Sequence, residues 1–255
     1  MRAWFYEPAP DPRARLRLFC FPYAGGGPAI FRAWPSALPE RIELVGVRMP
    51  GRESRWGEPG YDDWGAVVDD LVDELSSRLD LPYVLYGHSF GGMLAYEFAR
   101  AAQTRGLRLP RTLIVSGCRA PHLAVEPGVA WDAPSAQLWR WVAALNATPA
   151  IVLEDAAFRA ALEPALRDDL RLAQSWRNAP SVLVDAPLVT FGGTCDPIVT
   201  PQQTAEWRSY TGRSYAHVDF QGGHFFPHES EAAVLESIST ICAAALSAER
   251  ATVRC

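Results

Sequence analysis

The chain is expected to be an α/β protein, with a mostly parallel central sheet, helices on both faces and an inserted helical segment. Three observations carry that expectation. Short β-branched or aromatic runs alternate with stretches of helical character. Several of those runs are almost continuously apolar, as strands covered on both faces are. One segment, 121–180, breaks the alternation and reads as helix without strand.

Taken in order, the predicted strands are Leu16–Phe21, Glu43–Arg48, Tyr83–Tyr86, Thr112–Ser116, Leu188–Phe191 and Tyr215–Phe220. Helices are expected over Ala29–Leu38, Asp62–Leu79, Gly92–Arg105, Pro201–Tyr210 and Glu229–Ala248. Asp62 or Asp63 can cap the second of these, and Pro201 suits a first helical turn. Within 121–180, Leu138, Trp141, Val142 and Leu145 fall on one helical face, and Phe158, Leu162, Leu166 and Leu170 repeat every four residues. Ligands bind at the carboxyl edge of open α/β sheets, so this insertion is expected to be a lid over that edge rather than an extra packing layer. The chain is read as one domain, 1–255, carrying a lid at 121–180.

Composition excludes many activities. The 24 basic residues against 29 acidic ones give a net charge of −5, unlike a nucleic-acid binder with its basic stripe. All 24 basic residues are arginine. Without lysine there is no Schiff-base chemistry, no phosphate loop of the G-x-x-x-x-G-K-[ST] type and no Ser-Lys dyad. The cysteines at 20, 118, 195, 242 and 255 are odd in number and widely spaced, which suggests neither a disulfide framework nor a zinc site. No apolar stretch is long enough to span a bilayer, and the N-terminus lacks the apolar core of a signal peptide. The expectation is a cytoplasmic protein with no membrane or nucleic-acid partner, no metal and no cofactor.

The chemistry is carried by three loops. Gly87-His88-Ser89-Phe90-Gly91 follows a strand and opens a helix. A bare G-x-S-x-G arises often by chance and can be a tight turn with an idle serine. Between strand and helix it is a nucleophile elbow, which sets Ser89 above the sheet edge. A serine nucleophile needs a base, and the base an orienting acid, in the chain order Ser, Asp or Glu, His. Asp196 follows one late strand and His224 follows the next, at the same edge as Ser89. Asp185 would sit at the wrong edge, and Asp219 lies within a strand. His88 is expected to pack beneath the elbow and His217 within a strand; His228 should be a surface group, and His122 is a possible ligand contact. Two backbone donors for an oxyanion are expected at the Phe90 N–H and at the Ala24 N–H, with Tyr23 as the alternative, in the glycine-rich loop after the first central strand.

Together these residues resemble the type II thioesterases, the stand-alone editing hydrolases of polyketide and non-ribosomal peptide synthases. The marks are FCFPYAGGG (19–27), MPGRE (49–53), GHSFGG (87–92), SGCRAPH (116–122), the run 148–172, GGTCDPIV (192–199) and GGHFF (222–226). The resemblance spans Leu16 to Ala245. It implies an α/β-hydrolase fold with a helical lid, and Ser89, Asp196 and His224 as a catalytic triad. It also implies hydrolysis of acyl groups from the phosphopantetheine arm of an acyl-carrier or peptidyl-carrier protein, and a monomer is expected. An acyltransferase using an amine or alcohol acceptor, or a small-ester hydrolase without a carrier, would share the same acyl-enzyme. The chain departs from its relatives at Asn146-Ala147, where Gly-Gly is common, at Cys118, where arginine is common, and at Trp56. Carrier proteins of such systems are acidic, and so is this chain. Docking would therefore need clustered arginines, for which Arg52, Arg55 and Arg119 are the candidates.

Overall fold

A computed structural model describes residues 4–124, 128–146, 148–176 and 183–252. Seven strands make one sheet: β1 (Phe5–Tyr6), β2 (Leu16–Phe21), β3 (Ile42–Val47), β4 (Tyr83–His88), β5 (Thr112–Ser116), β6 (Leu188–Gly193) and β7 (Tyr215–Phe220). Their spatial order is β1-β3-β2-β4-β5-β6-β7. Every pairing is parallel except that of β1 with β3. All six expected strands form, each ending within two residues of its predicted limits. The added strand β1 is two residues long, too short to show a period of two.

The helices are α1 (Trp64–Ser76), α2 (Phe90–Thr104), α3 (Ser135–Ala144), α4 (Ala150–Glu154), α5 (Ala156–Ser175), α6 (Pro201–Ala205), α7 (Phe226–Glu229) and α8 (Glu231–Thr252). Asp63 caps α1 by accepting the Ala66 N–H at 2.9 Å. On one sheet face, Val67 and Leu71 of α1 and Leu94, Phe98 and Ala99 of α2 pack against Phe19, Val45, Leu85 and Val115. On the other, Val234, Ile238 and Cys242 of α8 pack with Phe31 and Trp34 against Leu18, Tyr86 and Ile114. Central strands are therefore buried on both faces, which is why their sequences are apolar without alternation.

Two helical expectations need correction. Ala29–Leu38 is not an α-helix but two 3-10 turns, Pro28–Phe31 and Trp34–Ala37. Pro35 has no N–H to donate and its ring clashes with the preceding turn, so a continuous helix cannot pass through it. Pro201–Tyr210 begins as α6, closed by a capping box between Thr200 and Gln203, and then tightens to a 3-10 turn over Glu206–Tyr210.

The insertion between β5 and β6 holds α3, α4 and α5. It has its own small core of Val129, Ala133, Leu138, Leu166 and Leu170. Asp155 caps α5 by accepting the N–H groups of Ala157 and Phe158. Asn146 closes α3 at φ 55°. A left-handed residue commonly ends a helix, and asparagine tolerates that conformation almost as glycine does. This position thus ends the helix as a glycine would, while Ala147 lies outside the described residues. No helix among the described residues is long and apolar enough to cross a membrane.

Candidate active site

The sharp turn between β4 and α2 is set by sterics. A Cβ on Gly87 would lie 2.1 Å from the Gly91 carbonyl oxygen, and one on Gly91 would lie 2.1 Å from that of Phe21. Only glycine fits either position. Ser89 sits between them at φ 55° and ψ −117°, outside the relaxed regions for a residue with a Cβ. Its N–H donates to the Ser116 carbonyl at 2.8 Å, tying the turn to the neighbouring strand end. Helix α2 starts at Phe90, two residues before the predicted start, because the turn leads straight into it.

His224 lies in the loop after β7 and Asp196 in the loop after β6. His224 Nε2 is 2.9 Å from Ser89 Oγ, and its Nδ1 is 2.8 Å from Asp196 Oδ2. The other carboxylate oxygen accepts the N–H groups of Ile198 at 2.7 Å and Val199 at 3.0 Å. Both residues are buried, at 4% exposure for His224 and 7% for Asp196. An ionised carboxylate only accepts, so the imidazole proton belongs on Nδ1 and the Nε2 lone pair faces the serine hydroxyl. The three predicted residues are thus brought into one hydrogen-bonded line.

The remaining geometry lies in the loop after β2. Among the described residues no acceptor takes the N–H of Ala24, Tyr23 or Phe90. The next amide, Gly25 N–H, donates to Asp169 Oδ2 at 2.8 Å and is therefore spoken for. Ala24, Ser89 and His224 line one side of a cavity of about 570 Å³ whose other side includes Trp141, Leu145, Leu162 and Leu166. The space is roomy enough for a ligand of drug size.

The other histidines are accounted for. His88 is buried under the elbow with Nδ1 2.9 Å from Ser116 Oγ. Burial, together with His224 and His228 nearby, holds His88 well below the ordinary histidine range. His122 is not in the cavity wall: it hydrogen-bonds Tyr210 at 3.0 Å and stacks on that ring. His217 bridges Thr190 and Asp219, and the exposed His228 meets the rings of Tyr23 and Phe225. Asp185 pairs with Arg213, away from the cavity lining.

The arginine docking patch needs correction. Arg52, Arg55 and Arg119 are 5%, 1% and 9% exposed, so none presents its charge to a partner's surface. Arg52 is paired inside with Asp169, Arg55 with Glu58, and Arg119 lies over the Trp176 ring. A guanidinium can be buried when its forked donors meet a carboxylate or its face meets an aromatic ring. Asp169 was not anticipated from sequence; on a helix its neighbour Asp168 looks the same. Among the described residues no group of three or more His, Cys, Asp or Glu side chains is placed to hold a metal ion.

Known proteins share this arrangement of chain and fold. The sequence profile of the thioesterase domain matches residues 16–242. The gramicidin S biosynthesis protein GrsT of Aneurinibacillus migulanus is 34% identical over 233 residues, covering 91% of this chain and 91% of that protein. RedJ, a thioesterase from the prodiginine biosynthetic pathway in Streptomyces coelicolor, superposes with a TM-score of 0.84 at 35% identity, covering 94% of each chain. BorB, the type II thioesterase from the borrelidin biosynthetic cluster, gives a TM-score of 0.86 at 30% identity over 94% of this chain and 98% of its own.

Proposed function

The chain belongs to the thioesterase domain family, and from that premise we infer that it is a type II thioesterase acting in polyketide or non-ribosomal peptide biosynthesis. Its substrates are acyl groups held as thioesters on the phosphopantetheine arm of carrier proteins, and its products are free acids. The observation that carries the site assignment is the line Ser89–His224–Asp196 at the wall of a largely apolar cavity.

The reaction follows from that line. Ser89 Oγ attacks the thioester carbonyl as His224 Nε2 takes its proton. The Ala24 and Phe90 N–H groups, which have no other acceptor among the described residues, donate to the developing oxyanion. The carbon–sulfur bond breaks, and the pantetheine thiol leaves with the proton returned by His224. A thiol is the more acidic leaving group by far compared with an alcohol, which favours thioesters over oxygen esters. Water, deprotonated by the same imidazole, then cleaves the acyl-serine and frees the acid. Asp196 keeps the imidazole in the required tautomer and stabilises its cation. The segment 121–180 acts as a lid within a single domain, and its apolar residues hold the acyl chain.

The test is a panel of acyl groups on carrier protein, on a small thiol and on a simple oxygen ester, each with and without added amine or alcohol. Free acid released fastest from the carrier-bound thioester supports the reading. Acyl-amine or acyl-ester as the main product would make the protein a transferase, and equal rates on the oxygen ester would remove the carrier from its function.

A further inference from the structure

Arg52 and Asp169 join three parts of the chain that are distant in sequence. Arg52 lies in the loop after β3, and Asp169 lies on α5. Their ion pair is a two-pronged fork, with Nη1 2.7 Å from Oδ2 and Nη2 2.9 Å from Oδ1. The third part is the glycine-rich loop that follows β2. Asp169 Oδ2 accepts Gly25 N–H at 2.8 Å, and Arg52 Nη1 donates to the Gly26 carbonyl at 3.0 Å. Arg52 Nε donates to the Pro50 carbonyl at 3.0 Å, which fixes the fork to its own loop. Exposure is 5% for Arg52 and 3% for Asp169. Helix α5 also presses on this loop, since a Cβ on Gly25 would lie 3.2 Å from Leu166 Cδ1.

Replacing a buried ion pair by apolar side chains of similar volume is often neutral for stability, because desolvating two charges is costly. What the ionic fork adds is direction: it grips the amide after Ala24 and the carbonyl after that. We propose that Arg52 and Asp169 are positioning residues that aim the Ala24 N–H at the oxyanion, so that a residue of the inserted helix α5 takes part in transition-state stabilisation. The proposal rests on the thioester-hydrolase reading.

The experiment uses the full chain and an acyl-N-acetylcysteamine thioester, which needs no carrier docking. Arg52→Lys keeps the charge and loses the fork. The double variant Arg52→Met with Asp169→Leu replaces the pair by apolar side chains and keeps the packing. Asp169→Asn keeps an acceptor for Gly25 N–H. Active sites are counted by covalent titration of Ser89, and melting is followed for each variant. In the double variant, kcat per active site should fall about 10- to 100-fold with KM little changed, because a mis-aimed donor costs less than a deleted one. Inhibition by a trifluoromethyl ketone, which forms a tetrahedral adduct, should weaken in parallel. Inhibition by an unreactive thioether analogue and the pH midpoint of kcat/KM should stay where they are. Asp169→Asn should recover part of the loss. A folded double variant or Arg52→Lys with full kcat per titrated site would overturn the proposal. So would equal weakening of both inhibitors, which would make the pair a shaper of the cavity only. If Ser89→Ala retains thioester turnover, the hydrolase reading fails instead, whatever Asp169 does.

Discussion

The two walls of the cavity are built to different standards. On the sheet side, every residue of β4 is buried, and α2 buries ten residues from Phe90 to Ala102. On the insertion side, α3 buries only Leu138 and α4 buries none, while Ile151 and Phe158 stand 64% and 48% exposed. The hydrogen-bonded line Ser89–His224–Asp196 sits on the first wall. Those three residues follow strands that the ladders of β4, β5, β6 and β7 hold in register, and loop bonds such as Ser89 N–H to the Ser116 carbonyl and Cys195 N–H to the Gly222 carbonyl carry that order to the strand ends. The second wall supplies apolar surface, which tolerates loose placement. The C-terminal half of α5 departs from its own side: beyond Pro164 it buries Ala165, Leu166, Asp169, Leu170 and Leu172.

This contrast can be broken at several points. Ser89→Ala should lower kcat/KM on an acyl thioester by about 10⁴-fold or more with melting unchanged, because the site acts as a unit. Gly87→Ala drives a Cβ into the Gly91 backbone and should cost about 3 kcal/mol or more, read from chemical denaturation. Leu138→Ala empties the centre of the insertion's core, at a local cost of about 2–5 kcal/mol. Faster hydrogen exchange in α3 and a raised KM are expected there, with melting of the sheet little changed. A matching drop in global melting would mean that both walls unfold as one body.

His88 tests the sheet wall by pH. Its folded form is held neutral by burial, whereas in the unfolded chain it titrates near about 6.5. Below that value the unfolded chain takes up a proton that the folded chain refuses. The stability contribution is therefore full above about pH 6.5 and is lost as the pH falls through it. Melting of the wild type should drop more steeply between about pH 7.5 and 5.5 than that of His88→Asn, and equal slopes would contradict the assignment. The smallest effect is expected at Ile151→Ser, within about 0.5 kcal/mol in denaturation.

The same contrast explains what could be read in the sequence. Strands buried on both faces announce themselves as apolar runs, and the loops that follow them place Ser89, Asp196 and His224 at one edge. Those positions follow from local pattern plus chain direction. The split at Pro35 was also legible in principle, since proline breaks a helix by local sterics. The partner of Arg52 was not. Asp169 lies 117 residues away, and nothing in sequence separates it from Asp168 beside it. The arginines looked like surface charge for the same reason: a buried fork is recognised only once its carboxylate is in place.

The interior cations have a chemical consequence. Arg119 lines the cavity, and no lysine occurs anywhere in the chain. Activated acyl groups readily acylate amines, but a guanidinium that stays protonated is no nucleophile. An acyl group on the proposed nucleophile Ser89 would therefore face a protonated guanidinium and no lysine amine. With no lysine in the chain, acylation of one of its own lysines is ruled out as a fate for that group.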